Sequence, residues 1–267
     1  MTAPIVINAN GLTRRFGGLV AVEDYSLDLR QGELVGLIGP NGAGKTTAFN
    51  LLTGVIRPTG GRIRVGDEDL TGRAPNVLAR RGIARTFQNI RLFSDLSVLE
   101  NIMCGAHMRH GASFASTFFQ LPAFRRAEQV IERRAFEISD LTGLARMAGR
   151  RAGDLSYGDQ RRVEIARALA SEPTALLLDE PAAGLNPSET ETLVALIRKI
   201  NRQLGIAVMV VEHDMRLVME LCQRIQVLNR GRLVADGTPD EIQNDPGVIE
   251  AYLGTRRNGG TNGGAHA

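Results

Sequence analysis

Short apolar runs separated by turn residues set the rhythm of the chain. Ile5-Val6-Ile7 opens it, and Tyr25-Ser26-Leu27-Asp28-Leu29 alternates apolar and polar positions as a half-buried strand does. Leu34-Val35-Gly36-Leu37-Ile38 is apolar throughout, the pattern of a strand buried on both faces, and residues 60–66 read as turn, strand, turn. From about Leu92 to Gly153 the period changes. Ala, Arg, Glu and Leu recur there at helical spacing, most clearly from Ala127 to Leu144. Two further buried strands, Ala175-Leu176-Leu177-Leu178 and Ile206 to Val211, flank a helical pattern from Glu189 to Leu204. Strands alternating with helices predict a parallel sheet with helices on both faces. The stretch 92–157 is then a helical subdomain inserted between two parts of an α/β core, 1–91 and 158–255. The tail, 256–267, is Gly- and Asn-rich, has no apolar residue larger than Ala, and reads as disordered. No internal repeat is visible.

Composition narrows the class. With 267 residues, 43% of them hydrophobic and 23% charged, the chain can bury a sizeable core and is neither fibrous nor disordered. Its longest clean apolar run, Ile206 to Val211, is far short of the about 20 residues that cross a bilayer. The start, Met1-Thr2-Ala3-Pro4-Ile5, lacks the basic and apolar regions of a signal peptide. Two cysteines, Cys104 and Cys222, make no disulfide framework and fit a reducing, cytosolic compartment. The net charge of +3 is mild. It is scattered over Arg pairs at 14–15, 80–81, 125–126, 133–134, 150–151 and 161–162, which read as solvated surface. There is no Trp and only 4% aromatic residues, so a basic face with stacking aromatics for nucleic acid is not indicated.

Candidate chemistry begins after the third strand. Gly39-Pro40-Asn41-Gly42-Ala43-Gly44-Lys45-Thr46-Thr47 fits G-x-x-x-x-G-K-[ST], between a buried strand and a helical run from Thr46 to Leu52. Glycines let the backbone curl so that successive N–H groups point at phosphate oxygens, and the helix N-terminus adds partial positive charge. Lys45 is expected to reach the β- and γ-phosphates of ATP, and the Thr46 hydroxyl to ligate Mg²⁺. Farther on, the strand Ala175 to Leu178 ends in Asp179-Glu180. Asp179 is expected on Mg²⁺, directly or through water, and Glu180 as the general base that activates water.

Between these lies Leu155-Ser156-Tyr157-Gly158-Asp159-Gln160-Arg161-Arg162, followed by a helical run, Val163 to Ala170. Here the chain resembles the ATP-binding cassette (ABC) family, whose signature motif opens a helix upstream of the strand with the two carboxylates. The resemblance covers roughly residues 5 to 254. It implies a P-loop NTPase (RecA-like) core with a small antiparallel β region and the inserted helical subdomain. It puts Gln88, in Thr86-Phe87-Gln88-Asn89, at the Q-loop as a Mg²⁺ and water ligand. It makes His213, in Val211-Glu212-His213-Asp214, the switch histidine, and Phe16 the aromatic that stacks on adenine. Ala183-Gly184-Leu185-Asn186 stands at the D-loop, and Arg91 to Asn101 at the transporter-facing region. Ser156 and Gly158 are implied to meet the γ-phosphate held by a second cassette. One phosphate loop and one signature then require a dimer, with itself or with a related subunit.

Several segments are similar to the branched-chain amino acid import cassettes of the Liv G type. They are Phe16-Gly17-Gly18-Leu19, Thr86 to Phe93, Leu155 to Gly158, Glu180 to Pro187, Val211 to Met215, and Val248 to Gly254. Asp159 departs from that branch, which carries Gln there. The resemblance implies ATP and Mg²⁺, two transmembrane permease subunits, a periplasmic binding protein acting indirectly, and a peripheral place on the cytoplasmic face of the inner membrane. Urea and short-amide importers have closely similar cassettes, and lipopolysaccharide-export cassettes share Val-Glu-Ile-Ala-Arg-Ala-Leu. A soluble ABC-type ATPase acting on nucleic acid or the ribosome is a further alternative, but such relatives usually carry long coiled-coil insertions or two cassettes. A nucleotide-binding module without turnover is disfavoured by the presence of both Glu180 and His213. Bare residues leave blander roles open: Gln88 as surface, His213 as structural, Phe16 as core, and Ser156 and Asn186 as helix N-caps.

Overall fold

The computed structural model describes residues 3–110 and 122–257. Strands β1 (Ile5–Phe16), β2 (Leu19–Arg30), β4 (Gly60–Val65) and β5 (Glu68–Asp69) form an antiparallel sheet in the order β2-β1-β4-β5. A second sheet has the order β10-β9-β3-β8-β7-β6. Its strands are β3 (Leu34–Ile38), β6 (Ile83–Arg85), β7 (Ala175–Asp179), β8 (Ala207–Val211), β9 (Arg224–Asn229) and β10 (Arg232–Gly237). All its neighbours run parallel except β10, which pairs antiparallel to β9 at the edge.

The wholly apolar runs become the central strands, as a sheet covered on both faces requires. β3, β7 and β8 are buried at every position. One face of the sheet, with Leu176, Leu178, Val208 and Val210, packs on helices. These are α3 (Val98–His110), α4 (Pro122–Leu141), α5 (Tyr157–Leu169), α6 (Pro187–Leu204) and α7 (Met215–Leu221). The other face, with Val35, Leu37, Leu177 and Met209, packs on α1 (Lys45–Leu52) and, around it, the antiparallel sheet. Helices thus lie on both faces, as expected, but on this face the antiparallel sheet does most of the covering. Ile7, Leu12, Leu27, Leu29 and Ile63 offer a second apolar surface that closes over Phe49, Leu51 and Leu52. Alternation in β1 and β2 hid that surface, because only every second residue faces it.

The remaining helices, α2 (Pro75–Arg80), α8 (Pro239–Asn244) and α9 (Pro246–Arg257), are short and lie outside the alternating core. Arg256 and Arg257 close α9, so the expected disordered tail does not begin at 256; its residues 258–267 lie outside the described residues. Among the described residues no helix is long and apolar enough to cross a membrane.

Candidate nucleotide site

The phosphate loop joins β3 to α1. Gly39 takes φ 150°, and a Cβ there would stand 2.1 Å from the Leu228 carbonyl oxygen of β9. Gly44, at φ 102°, caps α1 in a left-handed conformation with no side chain bonded to the helix start. The helix's first turn closes with Ala48 N–H donating to the Gly44 carbonyl at 2.9 Å. The N–H groups of Lys45, Thr46 and Thr47 precede that bond, have no partner within the helix, and are available to anions. Lys45 is buried, and its Nζ donates to the carbonyls of Gly39 (2.6 Å) and Pro40 (3.1 Å). Burial lowers its pKa, and the nearby Glu180 charge pulls it back up.

A cleft of about 480 Å³ collects Asn41, Gly42, Ala43, Gly44, Lys45, Thr46 and Thr47 with Glu180, Val20, Ala21, Arg230 and Gly231. Glu180 is brought there by β7, which lies beside β8 in the parallel sheet, with the Glu180 N–H donating to the Val211 carbonyl at 2.9 Å. It has φ 44°, a left-handed backbone that a β-carbon disfavours and that marks functional turns. Asp179 is buried one residue earlier. Its pKa is raised by desolvation, against which the Arg85 guanidinium, 4.0 Å away, favours the carboxylate.

Gln88 comes from the loop after β6, the strand paired to β7. Thr86 N–H donates to the Leu177 carbonyl, and Gln88 Nε2 donates to Glu180 Oε2 at 3.1 Å. The amide thus turns its nitrogen to Glu180 and leaves Oε1 for another partner. His213 follows β8 and has its side chain 60% exposed. Its Nδ1 lies 3.6 Å from Oε2 of Glu212, which is itself buried and also accepts the His213 and Ala182 N–H groups. Phe16 is exposed at the end of β1, under the Arg14 guanidinium at 4.5 Å, so it is not core.

Ser156 and Gly158 do not join this cleft. They line a separate recess with Asp159, Arg162, Leu185 and Glu189, at the start of α5. Ser156 Oγ accepts the Asp159 N–H at 3.2 Å, the N-cap geometry expected of it. Asp159 pairs with Arg162 one turn on. A Cβ on Gly158 would stand 2.8 Å from Glu189 Oε1. Asn186 caps α6 in a reciprocal box with Glu189, as Asn-Pro-x-Glu predicts.

The chain belongs to the ABC transporter family. The family's profile matches residues 22–183, more than half of the chain, and a second, for the branched-chain amino acid ATP-binding cassette transporter, matches residues 232–257. The cassette is an ATPase. It is 47% identical over 254 residues (95% of this chain, 99% of the relative) to the high-affinity branched-chain amino acid transport ATP-binding protein BraF of Pseudomonas aeruginosa. It is 48% identical, with the same shares of each chain, to LivG of Salmonella typhimurium, whose name carries the same description. Identity falls to 37% over 93% of this chain, and 97% of the relative, for the lipopolysaccharide export ATP-binding protein LptB of Escherichia coli. Among solved structures, the ADP conformation of an ATP-binding cassette of an ABC transporter superposes with TM-score 0.81 at 30% identity, covering 94% of this chain and 99% of that one. A dimeric cassette in a post-hydrolysis state with ADP and Pi has TM-score 0.71 at 26% identity, covering 87% and 98%.

Two arginines with little local sequence signal shape the cassette's site. Arg85 stacks on Phe49 (4.9 Å) and Phe87 (4.7 Å), donates to Asn50 and Thr53, and faces Asp179. Its only signal is its place at the end of β6, three residues before Gln88. Arg161, whose Arg-Arg pair reads as solvated surface, is fully buried: its two Nη groups donate to Glu164, the Tyr157 hydroxyl and two backbone carbonyls, while Nε has no partner. Beside the site, a groove of about 480 Å³ is lined by Ile83, Arg85, Phe87, Gly105, Arg167 and the exposed Phe93.

Proposed function

We propose that this chain is the ATP-hydrolysing subunit of an importer for branched-chain amino acids. The reading is carried by one observation: β3, β7 and β6 of one parallel sheet, with β8 between β3 and β7, lead into Lys45, Asp179 with Glu180, and Gln88; Lys45 and Glu180 share one cleft, and the Gln88 amide lies on the Glu180 carboxylate. Substrate class follows the relatives and the match over residues 232–257.

ATP binds with its phosphates over the N–H groups of residues 42–47, and Lys45 Nζ exchanges the Gly39 and Pro40 carbonyls for phosphate oxygen. Phe16 stacks on the adenine. Thr46, Asp179 and Gln88 offer hydroxyl, carboxylate and amide oxygens, a hard donor set. Among the described residues no group of three or more His, Cys, Asp or Glu could hold a metal. That set fits Mg²⁺, which keeps waters and takes phosphate oxygens beside one or two carboxylates, and which would offset charge on the phosphates. Glu180 accepts the proton of the attacking water, held in place by the Gln88 amide. His213 hydrogen-bonds the γ-phosphate and fixes that water.

Ser156 and Gly158 lie apart from this cleft, so they act on the nucleotide of a second cassette, the same chain or a related subunit. ATP closes the pair and hydrolysis reopens it. Two permease subunits in the membrane take up the motion, with the Phe93-lined groove and residues 91–101 facing them, on the cytoplasmic face of the inner membrane. A periplasmic binding protein contributes indirectly, and no nucleic acid is involved. The test is reconstitution with the permeases: ATP hydrolysis stimulated by leucine-loaded binding protein is expected. Stimulation by urea or a short amide instead would overturn the substrate class, and hydrolysis indifferent to any permease would overturn the transport role.

A further inference from the structure

Arg161 is fully buried in α5, one turn past the signature residues, and its guanidinium fork reaches out of the helix. Nη1 donates to the Phe87 carbonyl and to Glu164 Oε2, both at 2.8 Å, and Nη2 donates to the Gln88 carbonyl at 2.9 Å. Glu164 closes the loop by accepting the Phe87 N–H through Oε1 at 3.3 Å. The two consecutive peptides that carry Gln88 are therefore fixed to α5 from both sides. The Gln88 side chain then meets Glu180 at 3.1 Å. Nε of Arg161 has no hydrogen-bond partner, so this buried cation is retained without full satisfaction.

We propose that Arg161 is the positioning residue of the hydrolytic site: by holding the Phe87 and Gln88 carbonyls, it sets where the Gln88 amide stands on Glu180, and it ties that placement to the helix that begins at the signature serine. It does not touch nucleotide. The proposal rests on the reading of Gln88 and Glu180 given above. A planar fork is needed because two carbonyls, one carboxylate and, at 3.3 Å, the Tyr157 hydroxyl are taken at once. Lysine keeps the charge beside Glu164 but has a single nitrogen on a flexible stem, so it cannot hold all four acceptors in this arrangement. A loosened Gln88 displaces the base by fractions of an ångström, and displacement of about 1 Å costs up to about 10²-fold in rate.

The experiment is a double-mutant cycle on the purified full-length chain, read by single-turnover ATP hydrolysis so that slow variants stay measurable. Arg161→Lys is expected to lower the hydrolysis rate about tenfold while nucleotide affinity stays within about twofold. In a Gln88→Ala background the same change is expected to cost less than about twofold, since the group that Arg161 positions is gone. A merely structural Arg161 would cost the same in both backgrounds. Arg161→Met with Glu164→Leu removes both buried charges together, which leaves neither unpaired; this variant, expected to fold, should lose the rate as Arg161→Lys does. Gln88→Ala alone reads the underlying assignment. If it hydrolyses at the wild-type rate, the Gln88 reading falls and takes this proposal with it. If it is slow and Arg161→Lys is additive to it, or harmless alone, only the role of Arg161 is overturned.

Discussion

Helix α1 opens from a left-handed glycine with no side chain bonded to its first turn, whereas α5 opens from Ser156, whose own Oγ takes the Asp159 N–H. The first turn of α1 holds no acidic residue and a buried lysine; that of α5 holds Asp159, countered by Arg162. Under the proposed function both helix starts meet phosphate, by the same rule that favours negative charge at a helix N-terminus. Only the first is complete within the chain: its cleft already contains Lys45 and Glu180. The second is already satisfied from within and lies in a recess of its own, so an anion must displace its serine bond or share it. The contrast teaches a division of labour. On the proposed function, the loop at α1 would supply affinity, and the start of α5 a contact made only when a second cassette arrives.

The sharpest way to break that division is at Lys45. Lys45→Ala removes the buried point charge from the first site, and ATPase activity of the purified chain should vanish, with nucleotide affinity strongly reduced. Turnover near wild type would mean that phosphate binding does not centre on α1. Next in size is Glu180→Gln, which keeps the shape and loses the base. Hydrolysis should fall by about 10²-fold or more, while ATP still binds and accumulates a closed dimer on size exclusion. Normal hydrolysis would remove Glu180 from the role of base. His213→Ala tests the exposed residue to which the proposed function gives the γ-phosphate contact. A hydrogen bond to a charged group is worth about 1.5–3 kcal/mol, about ten- to hundredfold in rate, and kcat should fall with ATP affinity nearly unchanged. Equal losses in both would mark His213 as a structural partner of Glu212.

How far each region could be read in advance follows from the physics of each. The first site was legible because its chemistry is local: glycines, a lysine and a threonine within nine residues, then two carboxylates closing an apolar strand. The central strands β3, β7 and β8 were legible for the same reason, since burial on both faces leaves no polar residue to confuse the period. The antiparallel sheet was read only in fragments. Strands that bury one face show half their residues as polar, and β1 runs through Arg14 and Arg15 to Phe16. β6, β9 and β10 escaped as short or mixed strands, with Gln226 buried in β9 through bonds to Tyr25, Ser26 and Asp236. Arg161 reads as surface in sequence, because burial of an arginine depends on partners 73 and 74 residues away, which no local pattern announces.

The smallest expected effect lies at Asp159, a carboxylate where the resemblance implies a neutral amide. A unit charge about 8 Å from a triphosphate charge, at an effective dielectric of about 20, is repelled by about 2 kcal/mol. Salt reduces this, and a carboxylate in the first turn of a helix gains roughly 0.3–1 kcal/mol in return. The structure adds a stronger offset. Arg162 lies against Asp159, both side chains are 22% exposed, and the pair presents little net charge to an approaching phosphate. Asp159→Gln therefore frees a cation more than it removes an obstacle, and the ATP-bound dimer should tighten by less than about tenfold, more at low salt than at high. Arg162→Gln should do the reverse, since it leaves the carboxylate uncompensated beside the incoming phosphate. Dimer affinity with ATP, measured in a Glu180→Gln background at two salt concentrations, reads both variants. Opposite signs from the two changes would show that charge governs the start of α5. If both loosened the dimer alike, the pair would matter as a brace that orients Ser156 and Gly158, and the electrostatic contrast between the two helix starts would have to be abandoned in favour of a geometric one.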